Sequence, residues 1–166
     1  MGALPPTGFW DPLGLATDKD SETLKQYRTA ELKHGRVAML AVTGYLVQES
    51  FKFPGELAPG LAFADIPNGV AAIGVIPSFG WLQIVGSIGF WELIGWEDKK
   101  PVDSEFGVGD LGFYPASAIP KTEKAKAELL TKELQNGRLA MLAIIELITH
   151  DIAKPAGEGL FVVHHF

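Results

Sequence analysis

Two short stretches of this chain set a carboxylate, a lone-pair donor and a guanidinium at the same spacing. They are Glu31, His34 and Arg36 in ELKHGRVAMLA, and Glu133, Asn136 and Arg138 in ELQNGRLAMLA; eight of the eleven positions are identical. Further single donors stand in otherwise apolar surroundings: Gln48, Gln83, Glu92, Glu146 and His150. Imidazole nitrogen, amide oxygen and carboxylate oxygen share one chemistry, a lone pair offered to a Lewis acid. Hard ions such as Mg²⁺ take oxygen readily, and imidazole is versatile. A cage for a bare ion needs converging ligands, and these are scattered one by one. Scattered single donors suit a metal already held in a flat macrocycle that lacks only an axial ligand. A carboxylate shared between Mg²⁺ and an arginine is neutralised twice, which suits Glu31 and Glu133.

Helical geometry orders these donors. His34 and Gln48 are fourteen residues apart, which puts them within ~40° of one face and ~21 Å apart along a helix. Asn136 and His150 repeat that spacing, so each copy offers one donor near each end. Gln83 and Glu92 are nine apart, ~180° around, and serve opposite sides of their helix.

The elements that must position them are three segments of membrane length. Glu31 to Ser50, Phe79 to Trp96 and Glu133 to Ile152 are largely apolar, although none is uninterrupted. Twenty helical residues cover ~30 Å, one hydrocarbon thickness. The expected fold is an all-α membrane protein with three transmembrane helices, over residues 25–50, 78–97 and 122–151, and residues 1–166 form one domain. Pro77 precedes the middle segment and a charged run from Glu97 to Pro101 ends it. Trp81, Trp91 and Trp96 include candidates for interfacial aromatic belts. Lys19, Lys25 and Arg28 precede the first span and five lysines lie between Asp98 and Leu130; the opposite loop and the C-terminal tail hold one lysine each. That bias puts the N-terminus and the second loop on the positive-inside face. A soluble helical bundle with solvated loops is the alternative.

Composition narrows the function. Hydrophobic residues make up 47% and charged residues only 20%, below the ~25% usual in soluble domains. A net charge of −6 argues against nucleic acid as a partner. With no cysteine, disulfides, thiolate metal sites and cysteine nucleophiles are excluded. The opening MGALPPTG has neither the apolar core of a signal peptide nor the composition of a transit peptide, and the chain is expected to be a mature form.

The repeat also accounts for its charges. Glu31 and Arg36 are five apart, ~140° around one helix, and so are poorly placed to pair with each other. An unpaired charge deep in a bilayer costs at least ~2.5–3.5 kcal/mol. Two helices related by a pseudo-two-fold axis resolve this: Glu31 meets Arg138 and Glu133 meets Arg36. Gly35, Ala38, Ala41 and Gly137, Ala140, Ala143 recur every three positions and let the backbones approach. The simplest version of this clasp binds nothing.

The sequence resembles a known family at this point. AELKHGRVAMLAVTGYLVQE and KELQNGRLAMLAIIELITHD resemble the first and third transmembrane helices of chlorophyll-binding light-harvesting antenna proteins. The stretches GFWDPLGL, FADIPNGVAA and GWLQIVGSIGFWEL resemble specifically the chlorophyll a/c branch, which binds fucoxanthin or peridinin. The resemblance covers most of Gly8 to Asp151 and not the C-terminal KPAGEGLFVVHHF. It implies three transmembrane helices, the first and third crossed and related by a pseudo-two-fold axis, in the chloroplast thylakoid membrane, multi-pass, with the N-terminus stromal. It implies axial magnesium ligands at Glu31, His34, Gln83, Glu92, Glu133, Asn136 and His150, a less certain one at Gln48, and structural ion pairs through Arg36 and Arg138. Trp10, Asp11, Pro12 and Leu13, and the segment 113–117, are implied to stand near carotenoid head groups. The implied cofactors are chlorophyll a, chlorophyll c and fucoxanthin or peridinin, with diadinoxanthin as a further candidate. The implied partners are thylakoid lipid, other antenna subunits and a photosystem I or II core.

Glu146 departs from the family pattern inside the third helix; an extra pigment, a pairing with His150 or protonation would each account for it. His164 and His165 are candidate peripheral ligands or part of a tail with no binding role. The leading function is an antenna that absorbs light and passes excitation to a photosystem, and no catalysis is expected. A photoprotective, dissipating member is the alternative, for which titrating acids such as Glu49, Glu56, Asp65 and Asp151 are candidates. A di-iron carboxylate enzyme needs a second Glu-x-x-His beside Glu31 and His34; Glu133 with Asn136 is the only partner offered, and the arginines would repel iron.

Overall fold

The computed structural model describes residues 8–94, 109, 120 and 122–154. Helix α1 runs Ser21–Ser50, strands β1 and β2 are Glu56–Ala58 and Leu61–Ala62, and single 3₁₀ turns follow at Phe63–Asp65 and Gly69–Ala71. Helices α2 (Ala72–Val75), α3 (Ser78–Ile94) and α4 (Glu123–Ala153) complete the order. The three expected segments are thus helical. Residues 95–97 of the middle one lie outside the described residues.

Local chemistry sets the boundaries. Asp20 precedes α1: its carbonyl takes the Leu24 N–H at 3.2 Å and its carboxylate takes the Thr23 hydroxyl. That hydrogen bond, the largest influence on the group, holds the Asp20 carboxyl below the ordinary aspartate value. Thr122 Oγ1 accepts the Ala125 backbone N–H at 3.4 Å and caps α4. Pro54 and Pro77 bar helix continuation. Ile76, forced extended by Pro77 (φ −67°, ψ 128°), separates α2 from α3. The β1–β2 hairpin turns through Pro59-Gly60 with Gly60 at φ +81°, as a type II turn requires.

No single helix among the described residues is long and apolar enough to cross a membrane. The physical reason lies in α1 and α4: Lys25, Arg28, Glu31, Lys33 and Arg36 occupy the first half of α1, and its uncharged stretch runs only from Val37 to Gln48, against the ~20 apolar residues a span needs. Gly69–Val75 and Ser78–Leu93 meet the requirement only together, with a bend of 115° between them.

The chain divides into two compact units. One holds Met1–Val37 with Trp96–Leu139, the other Ala38–Gly95 with Ala140–Phe166. In the first, Leu32, Gly35, Leu134 and Gly137 are buried; in the second, Ala38 and Ala140 are. Each buried residue of α1 has its counterpart in α4 at the repeat offset. Large apolar side chains elsewhere on both helices, among them Leu40, Leu139 and Leu142, are exposed.

Candidate functional site

The first unit is organised around two glycines. A Cβ built on Gly35 would lie 2.9 Å from Gly137 Cα, and one on Gly137 would lie 3.0 Å from Gly35 Cα. The two backbones are therefore in direct contact, and only glycine permits it. On either side of this point the charges cross over. Arg36 Nε donates to Glu133 Oε1 at 2.7 Å, and Arg138 Nε donates to Glu31 Oε1 at 2.7 Å. The contacts are reciprocal, as a two-fold relation between copies demands. The Arg36–Glu133 side chains are 19% and 17% exposed, and those of Arg138 and Glu31 40% and 27%. The Arg36 pair is thus the more shielded from solvent. Arg36 Nη1 also donates to the carbonyl of Gly109 at 2.8 Å. Gly109 is buried, at φ +86°, and a Cβ there would meet Leu32 Cδ1 at 2.6 Å.

His34 and Asn136 stand on the outer face of this unit, exposed. His34 Nδ1 lies 2.7 Å from the Ala30 carbonyl. A carbonyl can only accept, so Nδ1 carries the proton and Nε2 is the ring nitrogen left to act as a donor to a metal. Arg28 escaped the sequence reading: its Nη1 donates to Glu31 Oε2 at 2.8 Å. The signal was present, since residues three apart share a helix face.

Gln48, Gln83, Glu92, Glu146 and His150 lie in the second unit, and all are exposed. No hydrogen bond joins Glu146 to His150 among the described residues. Asp151, one residue on, is committed elsewhere. Its side chain is 6% exposed and bonds to Lys154 Nζ at 2.7 Å. It also accepts the Val70 N–H at 2.6 Å and the Tyr45 hydroxyl at 3.4 Å. This ties the end of α4 to α1 and to the 3₁₀ turn before α2. Gly69, at φ +66°, leaves the room: a Cβ there would lie 2.2 Å from Asp151 Oδ2. Of the acids considered as titrating groups, Asp151 is instead a structural anchor. Lys52 closes the neighbouring loop by donating to the carbonyls of Ala64, at 3.2 Å, and Ile66.

At the N-terminal side, Asp11 turns its carboxylate onto its own chain, accepting the N–H groups of Leu15 and Ala16 at 2.9 and 2.8 Å. Gly14 at φ +65° completes the turn. The result displays Trp10, Pro12 and Leu13 outward, with Asp11 as their scaffold. The counterpart segment 113–117, and His164 and His165, lie outside the described residues.

The arrangement suits donors acting singly. No group of three or more His, Asp or Glu side chains able to hold a bare metal ion occurs among the described residues. The single donors outside the Glu–Arg pairs are each exposed, and Glu133 Oε2 has no hydrogen bond among the described residues. These residues fit a magnesium macrocycle that needs one axial lone pair and an apolar bed.

The described residues thus form a helical protein clasped through an internal repeat, with single exposed donors along its helices. The family model described as Chlorophyll A-B binding protein matches residues 1–152, and the chain belongs to that family. It is 44% identical over 156 residues to fucoxanthin-chlorophyll a-c binding protein B, chloroplastic, of Macrocystis pyrifera, covering 91% of this chain and 70% of that one. It is 42% identical over 156 residues to protein D of the same name and organism, covering 91% and 84%. Fucoxanthin-chlorophyll a-c binding protein F, chloroplastic, of Phaeodactylum tricornutum is 43% identical over 157 residues, at 91% and 77% coverage.

Proposed function

We propose that this chain is a light-harvesting antenna protein of the chloroplast that binds chlorophyll a, chlorophyll c and fucoxanthin. The observation that carries it is the reciprocal Glu–Arg clasp. It holds two carboxylates in fixed, charge-compensated positions beside exposed His34 and Asn136, within a chain that is over 40% identical to proteins named for those pigments. The relatives' names favour fucoxanthin over peridinin. Glu31, His34, Gln83, Glu92, Glu133, Asn136 and His150 supply the axial donors, Gln48 is a further candidate, and Trp10, Pro12 and Leu13 give a carotenoid head group an apolar contact. Bound chlorophyll supplies the absorption and the transfer of excitation; the protein catalyses nothing and supplies spacing and orientation.

The chain sits in the thylakoid membrane as a multi-pass protein with a stromal N-terminus, beside other antenna subunits and a photosystem core. The lysine and arginine bias supports this orientation. The exposed apolar faces of α1, α3 and α4 support a lipid and pigment surround, because soluble proteins rarely leave such areas uncovered. Charged residues in the first halves of α1 and α4 are compatible with it, since Glu31, Arg36, Glu133 and Arg138 compensate one another.

The test is the absorption spectrum of the gently solubilised native protein, with chromatography of its extracted pigments and an excitation spectrum of its emission. Chlorophyll a with chlorophyll c and fucoxanthin, all sensitising one chlorophyll a emission, is expected. A colourless protein, or one carrying iron, refutes the proposal.

A further inference from the structure

The clasp is two-fold in its crossed pairs but not in what else touches its carboxylates. Glu31 has both oxygens engaged by guanidinium groups, Oε1 by Arg138 at 2.7 Å and Oε2 by Arg28 at 2.8 Å. Glu133 has Oε1 engaged by Arg36 at 2.7 Å, and its Oε2 has no hydrogen bond among the described residues. The difference is written in the sequence: the place in the second copy that corresponds to Arg28 is Leu130. Arg28 is only 28% exposed and Glu31 27%, so the bond is partly shielded from water. Charge-assisted hydrogen bonds are about twice as strong as neutral ones, and an oxygen that accepts one has less electron density to give a metal.

We propose that Arg28 makes the two carboxylate ligands unequal, holding Glu31 Oε2 in place while weakening it as an axial donor relative to Glu133 Oε2. Arg28 is a positioning residue, acting on the pigment through Glu31. A carboxylate oxygen has lone pairs enough to accept from Arg28 and still reach a magnesium, so both sites bind. The magnesium at Glu31 is held less tightly and in a more electropositive setting, and the two chlorophylls therefore absorb at different energies. This inference rests on the proposed pigment-binding function and adds an order to its sites.

The test uses the full chain refolded in detergent with chlorophyll a, chlorophyll c and fucoxanthin, as wild type and as Arg28→Leu, Arg28→Lys and Leu130→Arg. Chlorophyll bound per protein is followed over time after dilution, together with the long-wavelength absorption bands. Arg28→Leu is expected to slow the loss of one chlorophyll by about three- to tenfold and to move one band. Arg28→Lys keeps a charged donor and is expected to stay close to wild type, which a merely steric role would not produce. Leu130→Arg is expected to speed the loss of a different chlorophyll and to move a different band. The proposal is overturned if Arg28→Leu and Leu130→Arg both release pigment and absorb as wild type does. If Arg28→Leu fails to fold, Leu130→Arg alone decides in the same way. Wild-type chain that takes up no chlorophyll overturns the pigment-binding function and this inference with it, an outcome distinct from equal sites in a loaded protein.

Discussion

Replacing Gly35 by alanine isolates the energy of the helix contact. The added Cβ would lie 2.9 Å from Gly137 Cα, 3.4 Å from its carbonyl carbon and 3.7 Å from its oxygen. All three are backbone atoms, so no side chain can swing away. Restoring ordinary contact moves the two backbones apart by up to about 1 Å, and such overpacking costs roughly 1–3 kcal/mol. Alanine also gains ~0.5–1 kcal/mol of helix propensity over glycine. Gly44, on the same helix, provides the reference, because a Cβ there meets nothing within 4 Å. Gly44→Ala shows the propensity gain alone and is expected to stabilise. The difference between the two variants is then the clash itself, about 1–3 kcal/mol, with Gly137→Ala matching Gly35→Ala. The assay is reversible unfolding of the refolded protein followed by helical circular dichroism. If Gly35→Ala and Gly44→Ala shift stability equally, the backbones do not touch and the reasoning fails.

Other consequences can be checked with the same material. Arg36→Leu leaves Glu133 without its one hydrogen-bonded partner among the described residues, in a shielded site, and should cost about 3 kcal/mol. Arg138→Leu should cost distinctly less, because its pair is more exposed and Arg28 still holds Glu31; equal losses in denaturant unfolding would contradict this. Gly69→Ala combines a left-handed backbone with a 2.2 Å approach to Asp151 Oδ2 and should destabilise by at least ~1 kcal/mol. It should also quicken amide exchange at Val70, whose N–H is held by that carboxylate. Thr23→Val removes the hydroxyl that holds the Asp20 carboxyl low, and a carboxyl NMR titration should then return the group towards the ordinary aspartate range. The depressed carboxyl stabilises the start of α1 above the unfolded aspartate value and loses that contribution as pH falls through the folded one; an unchanged titration in Thr23→Val would show that the hydroxyl is not the cause.

Much of this architecture is readable from residues alone. The helices fall where apolar runs, capping residues and prolines put them: Ser21–Ser50 against 25–50, Ser78–Ile94 against 78–97 and Glu123–Ala153 against 122–151. The crossed pairing of Glu31 with Arg138 and Glu133 with Arg36 follows from two facts in the string, a repeat and a five-residue separation that keeps each pair apart on its own helix. Such inferences work because helix periodicity is local and a repeat carries its own symmetry. Arg28 beside Glu31 was accessible by the same local rule.

Tertiary structure decided the rest, because its contacts join residues far apart with no shared period. Nothing in the chain announces that Arg36 will also meet the carbonyl of Gly109, or that Asp151 will close on Val70 and Tyr45 rather than face solvent as a free acid. The small-residue stripes at 35, 38, 41 and at 137, 140, 143 advertised a close approach. Only the fold showed that it is made at Gly35 and Gly137, where two backbones leave no room for a single carbon. The sequence by itself determined which residues could ligate and how they are spaced along each helix. The fold determined which carboxylate oxygens remain open to a ligand, since that depends on the arginines a folded chain brings alongside.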